Sequence, residues 1–115
     1  MAAAIERKDF DEAEALLDPE IVWEHNLGEG TPEEGVYRGR GEVMDLFRRL
    51  LDAWREIRVD VRDTRPLATH SFEARGTMHF LHASSEAEIA MPYVQKFEVR
   101  DGRASRVRLN LSASE

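Results

Sequence analysis

A chain of 115 residues fits one domain and is long enough to bury a real core. Its 42% hydrophobic and 34% charged residues are the balance of a soluble globular protein, and its net charge of −7 repels phosphate backbones and anionic lipid head groups. Nucleic-acid and membrane partners are therefore disfavoured, and the lack of cysteine excludes disulfides, a thiolate nucleophile and a Cys-ligated metal.

No apolar run approaches the ~18–20 residues of a membrane span. The start, Met1 to Lys8, has no signal-peptide hydrophobic region, so a cytoplasmic protein is expected.

Residues 2–17 read as helix interrupted by a tight turn. Asp9 stands three residues before Glu12, an acidic variant of the capping-box spacing, which predicts a new short helix with Phe10, Ala13, Leu16 and Leu17 on its buried face. Asp18-Pro19 stops it, because proline disfavours helix at the residue before it. Ile21 to His25 follows as a short strand, with Ile21, Trp23 and His25 on one face and Val22 and Glu24 on the other. Asn26 to Gly35 is a loop rich in glycine and glutamate, the one stretch loose enough for a lid.

Val36 to Gly39 leads into the strongest helix, about residues 41–55. Val43, Leu46, Phe47, Leu50, Leu51 and Trp54 form its apolar stripe, and Glu42, Asp45, Arg48, Arg49 and Asp52 its solvated face. The remainder alternates as strands: Ile57, Val59, Val61; then Phe72, Ala74, Gly76, Met78, Phe80; then Tyr93, Gln95, Phe97, Val99. Asp101-Gly102 is a two-residue hairpin turn, after which Val107, Leu109 and Leu111 face inward. Helices followed by a strand meander with one apolar face mean an α+β fold, and no linker or repeat divides residues 1–115 into more than a single domain.

The order of these segments is distinctive. Lys-Asp-Phe-Asp precedes Leu-Leu-Asp-Pro-Glu-Ile-Val-Trp-Glu-His, then Gly-Val-Tyr-Arg-Gly-Arg-Gly-Glu-Val opens the long helix. Met-Pro-Tyr-Val-Gln-Lys-Phe-Glu-Val-Arg-Asp-Gly-Arg leads into the last strand. Over nearly the whole chain this resembles the SnoaL-like (polyketide cyclase and ketosteroid isomerase-like) branch of the NTF2-like superfamily. The resemblance implies a cone: a curved, mixed and mainly antiparallel sheet wrapped by about three N-terminal helices around an apolar pocket. It does not imply one function, because this fold hosts isomerases, dehydratases, cyclases, epoxide hydrolases and non-catalytic modules. Two departures stand out. Similar proteins have a fuller first helix, of which this sequence begins about midway, and their last strand often ends in an acid where Ser112 stands.

In ketosteroid isomerase-like members the catalytic carboxylate base ends the first strand, and His25 takes that place here. Imidazole, with an unperturbed pKa near ~6.5, suits a base at neutral pH; a hydrogen-bonded, inert histidine is the structural alternative. Glu24, on the opposite face, becomes the base if the register shifts by one residue. The isomerase's oxyanion pair, a first-helix tyrosine and a protonated acid, has no match, which disfavours a true ketosteroid isomerase. Tyr37, Tyr93 and Gln95 are substrate-binding candidates by parity, and a polar group on an apolar face needs a partner. Trp23, Phe47, Trp54 and Met78 are candidates for the pocket wall. His79 and His82 have opposite parity, and no histidine pair has a metal-binding spacing, so neither a metal nor another cofactor is expected. Arg100, Arg103, Arg106 and Arg108 are expected to pair with acids across the outer face or at a dimer interface.

Three functions remain open: an acid–base isomerase or lyase acting on a small apolar molecule through His25, a non-catalytic binder of such a molecule, and a dimeric interaction module with a filled cavity. A homodimer is expected in all three.

Overall fold

The computed structural model describes residues 9–26, 34–82, 84–85 and 87–111. The first helical segment, the body of the expected lid loop and Ser112 lie outside the described residues.

The short helix α1 (Phe10–Ala15) begins as its capping spacing predicts: the Asp9 carboxylate accepts the Glu12 N–H at 3.1 Å. It ends earlier than expected. Ala104 donates its N–H to the Leu16 carbonyl at 2.9 Å, and Leu17 pairs with Ala104, so a distant strand captures this backbone before the proline acts. Leu17 thus opens β1 (Leu17–Asn26), which is longer than the five residues its alternation marks out.

Strand β2 (Gly35–Arg38) folds back antiparallel on β1, pairing Trp23 with Tyr37 and His25 with Gly35. The chain then turns at Gly39, whose φ of +84° suits glycine, into α2 (Gly39–Ala53). Glu42 accepts the Arg38 N–H at 2.9 Å at the head of this helix. Val43, Met44, Leu46, Phe47 and Leu51 are buried and the charged face is exposed, as the period requires. Trp54, expected as the last residue of the helical stripe, instead opens β3 (Trp54–Ala68).

Strands β4 (Ser71–His82), β5 (Glu88–Arg100) and β6 (Arg103–Leu111) complete one sheet in the order β2-β1-β6-β5-β4-β3. Asp101 and Gly102 have φ of +53° and +77°, the two positive values of the tight β5–β6 turn. Every pairing is antiparallel except β1 with β6, which is parallel. The result is a curved mixed sheet with helices on one side, an α+β cone.

The core lies between that inner face and the helices. It runs from Leu17, Ile21 and Trp23 through Val107, Leu109 and Leu111 to Tyr93, Ala74, Phe80 and Ile57, with Val43, Leu46 and Phe47 from α2. The outer face is charged. Arg108 bonds to Glu24, Arg65 and Arg75 share Glu73, and each ring nitrogen of His79 lies 2.9 Å from a carboxylate oxygen, of Glu88 and of Asp60. Those two carboxylates address opposite nitrogens of the ring, and among the described residues no group of three or more such side chains is set to hold a metal ion.

Candidate functional site

His25 lies near the end of β1 on the inner face, 3% exposed. Alternation along the strand puts Trp23 on the same face two residues earlier. The Trp23 indole Nε1–H donates to His25 Nδ1 at 3.1 Å, with the ring centroids 6.4 Å apart. Trp23 is itself fixed by an edge-to-face contact with Phe47 of α2, centroid to centroid 5.1 Å. The other imidazole nitrogen, Nε2, is buried and has no hydrogen-bond partner among the described residues.

Burial alone pushes the His25 pKa down, from 6.5 to about 4, so the ring is neutral at pH 7. A neutral imidazole has one lone pair and one N–H. Indole can only donate, so the lone pair is the one at Nδ1 and the proton is at Nε2. His25 therefore differs from the free base expected of this position: its lone pair is already engaged.

Glu24 points to the outer face. Arg108 bonds to it and Arg106 lies 3.9 Å away, and these partners hold its carboxyl below the usual carboxylate range. From Val22 to Asn26 the pairing of β1 with β6 is unbroken, so Glu24 stays on the outer face, opposite to His25.

The cross-strand register places the other candidates. His25 pairs with Leu109, Leu109 with Gln95, and Gln95 with Ala74. His25 and Gln95 thus share a row two strands apart, about 10 Å by strand spacing. Tyr93 sits one row further along β5, opposite Leu111 and Gly76. Neither the Tyr93 hydroxyl nor the Gln95 amide has a hydrogen-bond partner among the described residues. Burial, with Asp60 nearby, pushes the Tyr93 hydroxyl pKa up, so it stays a protonated donor.

Met78 pairs with Met91 and Val59 in the next row, all three half-buried. On either side of that row, Val61, in the row of Gly76 and Tyr93, and Ile89, in the row of Phe80, are about half exposed, at 55% and 47%, so the apolar inner face reaches solvent at these two places among the described residues.

Two candidates are not part of this group. The Tyr37 ring lies under the Arg49 guanidinium at 5.6 Å, in a surface groove that Glu42, Asp45, Arg48 and Asp52 of α2 also line. The ring of Trp54 packs on Phe80 and His82 where α2 meets β3, with centroids 5.3 and 5.6 Å away. It is half-buried there, and as the first residue of β3 it pairs with His82 instead of ending the helical stripe.

Sequence reasoning marked Trp23 as wall and missed it as the partner of His25. The signal was present: a Trp-x-His spacing on a strand puts both rings on one face. The expected pairing of Arg100 with an acid is met by Asp18, 82 residues away, through two hydrogen bonds of 3.2 and 2.9 Å, although nothing local identifies that partner.

The sequence matches the SnoaL-like domain family over residues 1–107. No curated protein matches it significantly. Among solved structures, an NTF2-like protein of unknown function from Burkholderia pseudomallei superposes with a TM-score of 0.82 at 18% identity, covering 98% of this chain and 86% of that one. TerC, co-crystallised with polyporic acid, gives 0.81 at 16% identity over 96% and 85%. An epoxide hydrolase of M. tuberculosis, of the LEH-like kind, gives 0.77 at 21% identity over 96% and 76%. At such identities the likeness is one of fold. With the family match spanning nearly the whole chain and the mixed sheet and helices superposing on these proteins, the chain belongs to the SnoaL-like domain family and has the NTF2-like fold.

Proposed function

We propose that this protein binds a small, largely apolar, oxygen-bearing molecule against the inner face of its sheet, with His25, Tyr93 and Gln95 as the polar contacts. The observation that carries this reading is the buried, unpartnered Nε2 of His25, since leaving such a group unpaired costs about 1–3 kcal/mol. The Tyr93 and Gln95 side chains, two strands away on the same face, and the half-exposed Val61 in the row of Tyr93 add support. Tyr37 and Trp54 lie outside this group and play no part in the reading.

If turnover follows binding, it belongs to the isomerase, cyclase or hydrolase range of the fold. His25 then polarises an oxygen instead of removing a proton. A homodimer in the cytoplasm remains part of the proposal; the charged outer face, with its open β3 edge, is the surface a second copy would meet, and sedimentation would decide it.

The test is a titration of isotopically labelled protein with a panel of apolar ketones and phenols, followed by NMR. The expected result is movement of the Trp23 indole and Gln95 side-chain amide signals while those of Lys96 and Arg106 stay fixed. Perturbations confined to the outer face, or none across the panel, would refute the reading.

A further inference from the structure

We propose that Trp23 is a positioning residue that fixes His25 in the Nε2–H tautomer, so that the inner face presents a hydrogen-bond donor and selects ligands carrying an acceptor oxygen, of the ketone, enone or quinone class, at that point. This rests on the inner face being the ligand site.

Three observations carry it. Indole N–H is a donor with no acceptor capacity, and it lies 3.1 Å from Nδ1, so a proton on Nδ1 would set two N–H groups against each other. The tryptophan has little freedom to move aside, being 4% exposed and held edge-on by Phe47. The neighbours offer Nε2 nothing else: among the described residues no protein acceptor reaches it, and the adjacent cross-strand partners of His25 are Leu109 and the backbone of Gly35.

The consequence is directional. A ligand group that can only donate meets a donor and is rejected, because it would leave two buried N–H or O–H groups unpaired. A carbonyl oxygen accepts from Nε2 and completes the chain Trp23–His25–ligand. The Tyr93 hydroxyl, also kept protonated, adds a second donor on the same face, so the polarity of the site is consistent.

The test has two arms. Long-range ¹⁵N–¹H spectra of the free protein assign the His25 tautomer without any ligand or variant. A pyrrole-type Nε2 and a pyridine-type Nδ1 are expected; a proton on Nδ1 overturns the inference. The second arm compares affinities for 2-acetylnaphthalene and its oxygen-free isostere 2-isopropenylnaphthalene. The ratio of the two in wild type is expected to favour the ketone roughly tenfold over the ratio in His25→Leu, as one buried hydrogen bond allows. Trp23→Phe should lower that preference and release the ring to mixed tautomers. An unchanged ratio in both variants overturns the selection. Failure of both probes to bind counts against the ligand site and overturns the selectivity, while the free-protein spectra still decide the role of Trp23.

Discussion

Trp23 and His25, two residues apart on β1, share the inner face with their rings tilted by 35° and joined by one 3.1 Å hydrogen bond. The bond consumes the only lone pair of a neutral imidazole. It therefore decides what the histidine can offer: an N–H to an acceptor, and no free base. Where the resemblance led to the expectation of a base, the structure has a group whose remaining hydrogen-bonding atom is a donor.

The lowered basicity of His25 makes stability depend on pH. In the unfolded chain the ring takes up a proton below about pH 6.5, while in the folded protein it resists until about pH 4. Between those values the unfolded state binds more protons, so stability falls as the pH drops through this window and levels off below it. The loss amounts to about 3 kcal/mol from this group alone. Asp18, Glu24 and Glu73, whose pKa values are lowered by their arginine partners, lose their contribution at more acidic pH, below the ordinary carboxylate range. Denaturant unfolding at pH 7 and pH 5 should show the loss in wild type and a much flatter response in His25→Gln. Equal slopes in the two proteins would rule out the buried ring as its source.

Glu24 and His25 are adjacent in sequence and face opposite ways, which separates their functional consequences. Glu24→Gln removes a charge paired with Arg108 on the outer face and should leave the affinity for 2-acetylnaphthalene within about twofold of wild type, since no ligand contact is lost. His25→Ala should weaken it at least tenfold, as expected for a lost buried hydrogen bond of about 1.4 kcal/mol. Isothermal titration of both variants checks this; the opposite ranking would move the site to the other face.

Gly76 lies where β3 approaches β4 closely. It is buried opposite Tyr93, beside the bulge of β3 between Val61 and Asp63, and a Cβ added there would overlap the Asp60 carbonyl oxygen. Backbone, unlike a side-chain tip, cannot move aside cheaply. Gly76→Ala is therefore expected to cost about 1–3 kcal/mol or more in urea unfolding. It should also disturb the Tyr93 ring signals, because the tyrosine pairs with this residue. A neutral substitution would show that β3 yields without strain.

Elements whose cause is local could be read from the chain. Asp9 and Glu12 are three residues apart and make their cap; α2 needs only its own apolar stripe; Asp101-Gly102 makes its turn with two residues. The inner faces of β4, β5 and β6 followed from parity. What could not be read depends on distant partners. The parallel register of β1 on β6 joins residues more than 80 positions apart, and it is this pairing that ends α1 early and draws Leu17 into the sheet. Strand β2 has only four residues, too few for alternation to be distinguished from a loop. For the site, parity placed His25, Tyr93 and Gln95 on one face. It was silent on protonation, because that depends on where an indole N–H points. Tyr37 and Trp54 show the limit of pattern alone: each has the expected amphipathic character, and each ring is occupied elsewhere, by Arg49 and by Phe80 with His82.

The most direct single measurement follows the two ring nitrogens of His25 by long-range ¹⁵N–¹H NMR as 2-acetylnaphthalene is added. The expected result is that the proton remains on Nε2, its resonance moving downfield as the carbonyl oxygen engages it, while Nδ1 stays bonded to Trp23. A ring that is unperturbed while the ketone binds, or a proton found on Nδ1, would contradict the assignment of this face as a donor-lined ligand site.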